Sequence, residues 1–565
     1  MSVYVAYRQL GPSDSVGLDR ATERVKRWYE LAKNIDVDRS GDASGGLVRW
    51  STPSATTWWE WTRDSSGATA LPFPPILPGK SGTRHEIKSQ ALQSTNECVP
   101  PFAVLHHDCQ SGRVTATTDI LGLGKIYWLH TSRGIYLSNQ PVALLLFSGT
   151  EPELDETGWM HKASIGWFME NTTAYRGVQV MPPAVSWIVN DDGAIKKRAL
   201  PRLLSSGPPK SEVGPTQFAL QQTMASTSSI LSNPALSLSG GRDSRLVVAS
   251  YLSTGLDFSC STNDSVPGEV DVAQRLIDLL PVPIRHQVRS LEHYTADPRE
   301  IPLLQRALNW HNWSEGARSE GYLWSRAPSP RLVSGVPQGL GGAGGDVAHG
   351  YYYGSGIQST ILSGTSELPN QNLRKQLMRR LFRSRAEVSN EVKAGSRAVV
   401  RKTLLEADAE GLSGFSLWDY FYLYERVRRW SGAAEPLAIS PLHTPAFMRH
   451  ALRIEPYERV NNVLHRELIH RMVPVWSEVP FFHQMERIPK PVLRAAQAGD
   501  ADEIAGIIDQ DPTWRQFYDE NQIQNSWELS QMGSSSGRDE RYLRQVIWLA
   551  GFQMHLEEVR RALRV

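Results

Sequence analysis

The run Leu236-Ser237-Leu238-Ser239-Gly240-Gly241-Arg242-Asp243-Ser244-Arg245-Leu246-Val247-Val248-Ala249 decides how the C-terminal part of the chain reads. Leu236 and Leu238 alternate as in a strand, a glycine-rich turn follows, and Leu246, Val247, Ser250 and Tyr251 recur at helical spacing. Strand, tight turn and helix together set free backbone N–H groups at the positive end of a helix, where a phosphate can sit. Gly240 and Gly241 let the chain bend and let an anion come close, while Ser239 and Ser244 add hydroxyl donors. Asp243 adds a carboxylate, which beside phosphate makes sense only with a cation between them.

The pattern is not a Walker loop, which ends in Gly-Lys-Ser/Thr. Ser-Gly-Gly-x-Asp-Ser resembles instead the pyrophosphate loop of ATP-pyrophosphatase enzymes, which split ATP into AMP and pyrophosphate; a plain glycine turn is the alternative. The resemblance implies ATP contacts from Leu238, Ser239, Gly240, Gly241, Asp243 and Ser244. Downstream, a helix over 269–277 lies between strands over 256–262 and 284–288, and such alternation argues for a doubly wound parallel sheet. Cys260 falls at the carboxyl edge of the second strand, where the resemblance implies adenine, and a buried thiol is the alternative. Leu332-Val333-Ser334-Gly335 and Gly339-Leu340-Gly341-Gly342-Ala343-Gly344-Gly345-Asp346-Val347-Ala348-His349 resemble the second nucleotide motif of asparagine synthetases. That resemblance adds Gly335 and Gly345 to the ATP contacts and makes Asp346 the partner of Asp243 in holding Mg²⁺.

Toward the N-terminus, short strands and turns run from Phe102 to Ser138, a short buried helix spans Pro141 to Phe147, and a hairpin is expected from Tyr175–Pro183 and Val185–Gly193. Trp50, Trp58, Trp59 and Trp61 suggest a sheet packing face or a binding surface. The series Phe102–Asp108, Asp119–Gly122, Tyr136–Ser138, Gly177-Val178 and Asp192-Gly193 resembles the latter half of the glutaminase-like domain of asparagine synthetases, an N-terminal-nucleophile sandwich. The family's cysteine after the initiator methionine is Ser2 here, and its Asn-Gly-Glu motif is missing, so a degenerate domain without glutamine hydrolysis is expected, with a Ser2 hydroxyl nucleophile as the alternative. β-Lactam synthetases and lasso-peptide cyclases resemble the same family and lack that activity too.

The expected architecture is thus α/β and multidomain. A degenerate glutaminase-like β-sandwich spans 1–200, a linker 201–215, and a doubly wound ATP-pyrophosphatase synthetase domain 216–565, whose helical tail packs on the synthetase core. A helix over 217–231 precedes the pyrophosphate loop, and Arg426, Arg428 and Arg429 on a helix over 420–430 face either a ligand or solvent. The sequence departs from the family at Ala343, where a glutamate or tyrosine is usual, at Thr444, which replaces an aspartate, and over 473–483, which has no lysine; Lys490 is the nearest.

Sixty basic and 59 acidic side chains leave a net charge of +1, which gives no electrostatic case for nucleic acid or an acidic membrane. Three scattered cysteines, Cys98, Cys109 and Cys260, lack metal-ligand spacing and suit a reducing cytoplasm. No run approaches the ~18 apolar residues of a membrane span. The expected function is ATP-dependent amide formation between a small-molecule or peptide carboxylate and an amine, with ATP and Mg²⁺ as cofactors and biosynthetic proteins as possible partners. Intramolecular lactam or macrolactam closure, base modification and an inactive nucleotide-binding scaffold are the alternatives.

Overall fold

The computed structural model describes the chain apart from residues 1, 13, 31–33, 53–56, 81–82, 205–211, 232, 265, 291–301, 318–338, 355–356, 364–367, 384, 429–437 and 483–493. The described residues form a mixed α/β structure in which three sheets stand out. Two are six-stranded and antiparallel. Their strands are β1 (Val3–Gln9), β2 (Asp36–Gly41), β3 (Gly45–Ser51), β4 (Trp61–Asp64), β5 (Gly67–Ala70), β6 (Ala103–Asp108), β7 (Val114–Thr118), β8 (Tyr127–Thr131), β9 (Gly134–Ser138), β10 (Gln179–Val180), β11 (Val185–Val189) and β12 (Ile195–Ala199). The first sheet runs β10-β8-β9-β1-β3-β2 and the second β12-β11-β7-β6-β5-β4.

β1 shows why the sheets stack. Tyr4 and Ala6 enter the core between the two sheets, whereas Val3, Val5 and Tyr7 enter a second core under helices, so one continuous apolar run serves both faces. The helical cover comprises Ser15–Tyr29 and the wholly buried Pro141–Ser148, backed by Leu303–Ser314 and Gly537–Arg564. The tail therefore packs on the helices of the front sandwich, not on the synthetase core as expected. Its buried face, with Leu543, Ile547, Phe552 and Leu556, completes the core that Val3 and Val5 begin.

The expected 175–193 hairpin does not form: β10 pairs with β8 in one sheet, and β11 with β7 and β12 in the other. Between them Pro182 and Pro183 offer no N–H, and Ala184 at φ 52° turns the chain across. Asp119 anchors this crossing, its buried carboxylate accepting from the N–H groups of Phe102, Leu121, Leu123 and Gly124 at 2.6–3.2 Å. Of the tryptophans, Trp50 is buried on β3, Trp61 of β4 stacks on Tyr4, and Trp58 and Trp59 precede β4 as an edge-to-face pair.

The third sheet is parallel: β13 (Ala235–Ser237), β14 (Ser259–Asn263), β15 (Arg285–Arg289), β16 (Gly339–Leu340) and β17 (Ala438–Ile439), in the order β15-β14-β13-β16-β17. The winding direction reverses between β13 and β16, and in open parallel sheets that reversal opens a crevice at the carboxyl ends. Helix Val213–Thr227 starts earlier than expected, because Pro215 fits its first turn, so the linker ends before it; most of the remaining linker is outside the described residues. No described helix is long and apolar enough to cross a membrane.

Candidate functional site

Beyond β13 and β16 the two glycine-rich turns pack against each other: a Cβ at Gly342 would lie 2.9 Å from the Ser244 backbone nitrogen. After β13 the chain enters helix Arg242–Leu252, whose N-cap is Gly241 and carries no side-chain cap. Its first N–H groups therefore lack an intrahelical partner and a capping oxygen, the condition that favours an anion. Ser239 Oγ and Ser244 Oγ lie 2.7 Å apart; the Ser239 N–H donates to Ser244 Oγ and the Gly241 N–H to Ser239 Oγ. The hydroxyls thus occupy two of the loop's own amides. Leu238 spends its N–H on Ser261 and its carbonyl on Thr262 Oγ1, and its side chain is buried. Cys260 is also buried at 1% exposure, its thiol pushed up to about 12 by that burial. Gly335, Arg429 and Lys490 lie outside the described residues.

After β16 the second turn leads into the short helix Asp346–His349. Asp243, Asp346 and His349 each bring a ligand atom within 4.8 Å of the others. His349 Nε2 stands 3.4 Å from Asp346 Oδ1 and 3.8 Å from Asp243 Oδ2, while the buried His465, on helix Val463–Met472, puts Nε2 2.8 Å from Asp243 Oδ1. Burial opposes ionisation of Asp243, yet the two imidazoles outweigh it and hold the carboxyl well below its usual range. Burial likewise lowers His349, but its two carboxylate neighbours win and its pKa is raised; for His465 burial wins and the pKa is lowered. Tyr422 donates to Asp346 Oδ2 at 3.0 Å and stacks on Tyr351. It opens a π-helical turn, Tyr422–Val427, that continues helix Ser416–Phe421 where a regular helix was expected.

Supporting contacts fix both turns. A Cβ at Gly345 would fall 2.3 Å from Asp243 Oδ1, so only glycine lets the Asp243 carboxylate sit where it does. Arg459 grips buried Asp419 through both guanidinium Nη atoms at 2.6 and 2.9 Å and donates to the Val347 carbonyl, pinning the Asp346–His349 helix. Arg245, also buried, donates to the carbonyls of Gly240, Val479 and Pro480, which ties the 479–482 segment to the first turn. Arg242 reaches Asn462 Oδ1 at 2.8 Å. Thr444 is buried and shares a hydrogen bond with Thr223. Arg428 does not face a ligand or solvent: it is buried against the sandwich, donating to Asn171 Oδ1 and the Met181 carbonyl, while Arg426 lies over Trp167 and Tyr351. In the sandwich, Ser2 is fully buried and its hydroxyl donates to Glu60 at 2.8 Å.

His349 was open to sequence reading, because i,i+3 spacing puts it on the same helix face as Asp346. His465 and Tyr422 carried no local signal, since packing of distant helices brings them in.

No protein-family model and no curated protein matches the chain. Among solved structures it is similar to the allosteric regulatory enzyme of purine biosynthesis, at 9% identity over 51% of this chain and 80% of that one, with a TM-score of 0.21. It is similar at the same identity, share of this chain and TM-score to glutamine phosphoribosylpyrophosphate amidotransferase from B. subtilis complexed with ADP and GMP, of which it covers 65%. Likeness at that level transfers neither architecture nor activity.

Proposed function

We propose that the chain is an ATP-dependent, AMP-forming carbon–nitrogen ligase of asparagine synthetase type, with the parallel sheet and its helices within residues 213–482 as an ATP-pyrophosphatase domain and 1–200, covered by the C-terminal helices, as a glutaminase-like sandwich that supplies no ammonia. One observation carries the reading: Asp243 and Asp346, from separate turns, converge beside an uncapped helix start at the reversal point of a parallel sheet. In the reaction a substrate carboxylate oxygen attacks the α-phosphorus of ATP and pyrophosphate leaves. An amine nitrogen then attacks the acyl carbon and AMP leaves. The N–H groups at the start of helix Arg242–Leu252 hold the departing pyrophosphate, and Asp243 and Asp346 hold a divalent cation, which neutralises phosphate charge when bound. Arg459 and Arg245 keep the two turns in register.

The acid and the amine are a small molecule or a peptide, joined within one molecule or between two, in a specialised biosynthetic step in the cytoplasm. The test is incubation of the full chain with α-labelled ATP, a divalent cation, and a panel of carboxylic acids with amines. AMP and pyrophosphate formed only when an acid is present support the ligase. ADP overturns it. Tight ATP binding without turnover across the panel favours the nucleotide-binding scaffold, which the lack of a lysine over 473–482 would suit.

A further inference from the structure

The resemblance that assigns Mg²⁺ to Asp243 and Asp346 does not account for the histidines around them. Mg²⁺ takes one or two carboxylates plus phosphate and water oxygens in a near-ideal octahedron, whereas imidazole nitrogen suits ions of the first transition row. His349 lies one helical turn beyond Asp346, its Nε2 at 3.4 and 3.8 Å from the two carboxylates. Donors bound in common to one ion at about 2.1 Å sit roughly 3.0–3.5 Å apart, so small side-chain movements bring all three onto a single ion. A second observation points the same way. His465, at 0% exposure, aims Nε2 at Asp243 Oδ1 from 2.8 Å, yet the pair is not aligned as a hydrogen bond, and among the described residues neither buried atom has such a partner. A buried carboxylate oxygen left that way is costly, and a cation on the carboxylate offsets the cost.

We propose that this site takes a transition-row divalent ion of the Mn²⁺ to Zn²⁺ series in preference to Mg²⁺, with Asp243, Asp346 and His349 as ligands and His465 orienting Asp243. The proposal rests on the phosphate-site reading above but not on the ligase chemistry. Three protein ligands leave positions open for phosphate oxygens and water, as a nucleotide-bound ion requires. The imidazole makes selectivity a matter of ligand type, and His465 does for a carboxylate what outer partners commonly do for metal ligands.

The test uses the full-length chain without ATP. Mn²⁺ is titrated while the free-ion EPR signal is followed, Mg²⁺ is added as competitor, and the bound ion is examined for ¹⁴N coupling. The expected result is a preference for Mn²⁺ on the order of 100-fold, with coupling to one imidazole. His349→Gln loses the coupling and ~10-fold or more of the affinity. His349→Asn, should the first variant misfold, gives the same loss, and Asp346→Asn weakens both ions. The proposal is overturned if Mg²⁺ displaces Mn²⁺ at equal concentration, if the ¹⁴N coupling survives in folded His349→Gln, or if the folded chain binds no Mn²⁺. ADP in the turnover assay would sink the ligase reading and leave this result standing.

Discussion

Gly345→Ala puts the geometry of the site to a narrow test. The backbone there is helical, φ −62° and ψ −27°, so alanine fits it without strain. The added methyl, however, would lie 2.3 Å from Asp243 Oδ1, 2.4 Å from its Cγ and 2.8 Å from its Cβ. Ordinary contact lies near 3.5 Å, so the carboxylate or the Asp346 helix must move by about 1 Å. A displacement of that size at a reacting centre costs on the order of 100-fold, or about 2.7 kcal/mol. Gly341→Ala is the matched control: it sits on the same turn, nothing among the described residues lies within 4 Å of its would-be Cβ, and its N–H bond to Ile439 survives. Calorimetric titration with ATP and a divalent cation, beside thermal melts, should show Gly345→Ala weakened 10- to 100-fold and Gly341→Ala within about twofold, both melting near the parent. Were folded Gly345→Ala to bind as Gly341→Ala does, Asp243 would not be holding the ligand.

Three further outcomes are expected. Asp419→Ala strands Arg459 as a buried unpaired cation and should cost about 3–5 kcal/mol, read as a lowered Tm that a second change, Arg459→Met, partly restores. Arg245→Met removes charged donors from three carbonyls; a loss of about 2–4 kcal/mol and faster hydrogen exchange across 479–482 should follow, and unchanged exchange would count against the tether. His311, buried against Trp548, has its pKa pulled down by burial to about 3. The unfolded chain therefore takes up that proton first, and this one group should lower stability from pH 6.5 toward 3 by up to ~1.4 kcal/mol per unit, a share of the slope that His311→Gln should remove in pH-dependent melts while buried His443, also pulled down to about 4, keeps its own.

The two turns could be read from residues alone because their signals are local: alternation, glycines, then helical spacing around Asp243, and a strand end leading to Asp346. β1 is harder to read, since Val3 to Tyr7 are buried on both faces and show no alternation. Pro182 and Pro183 did signal a break, but alternation on either side says nothing about which sheet each strand joins. The tail was rightly a helix and wrongly placed, because amphipathicity shows that a face is buried and not what buries it. His465, Tyr422 and Arg459 converge on the site through helix packing, which leaves no mark at any one position.

The position of helix Gly537–Arg564 bears on how the protein is made. Arg27 reaches the backbone oxygen of Val565, and Pro141–Ser148 is enclosed between the first sheet and this last helix. During vectorial synthesis the early strands must leave the ribosome with part of their cover still unwritten, exposing Leu144 and its neighbours until the closing helix arrives. Chains of this size commonly meet aggregation at such stages, so nascent-chain chaperones should hold the sandwich until residues 537–564 have been made.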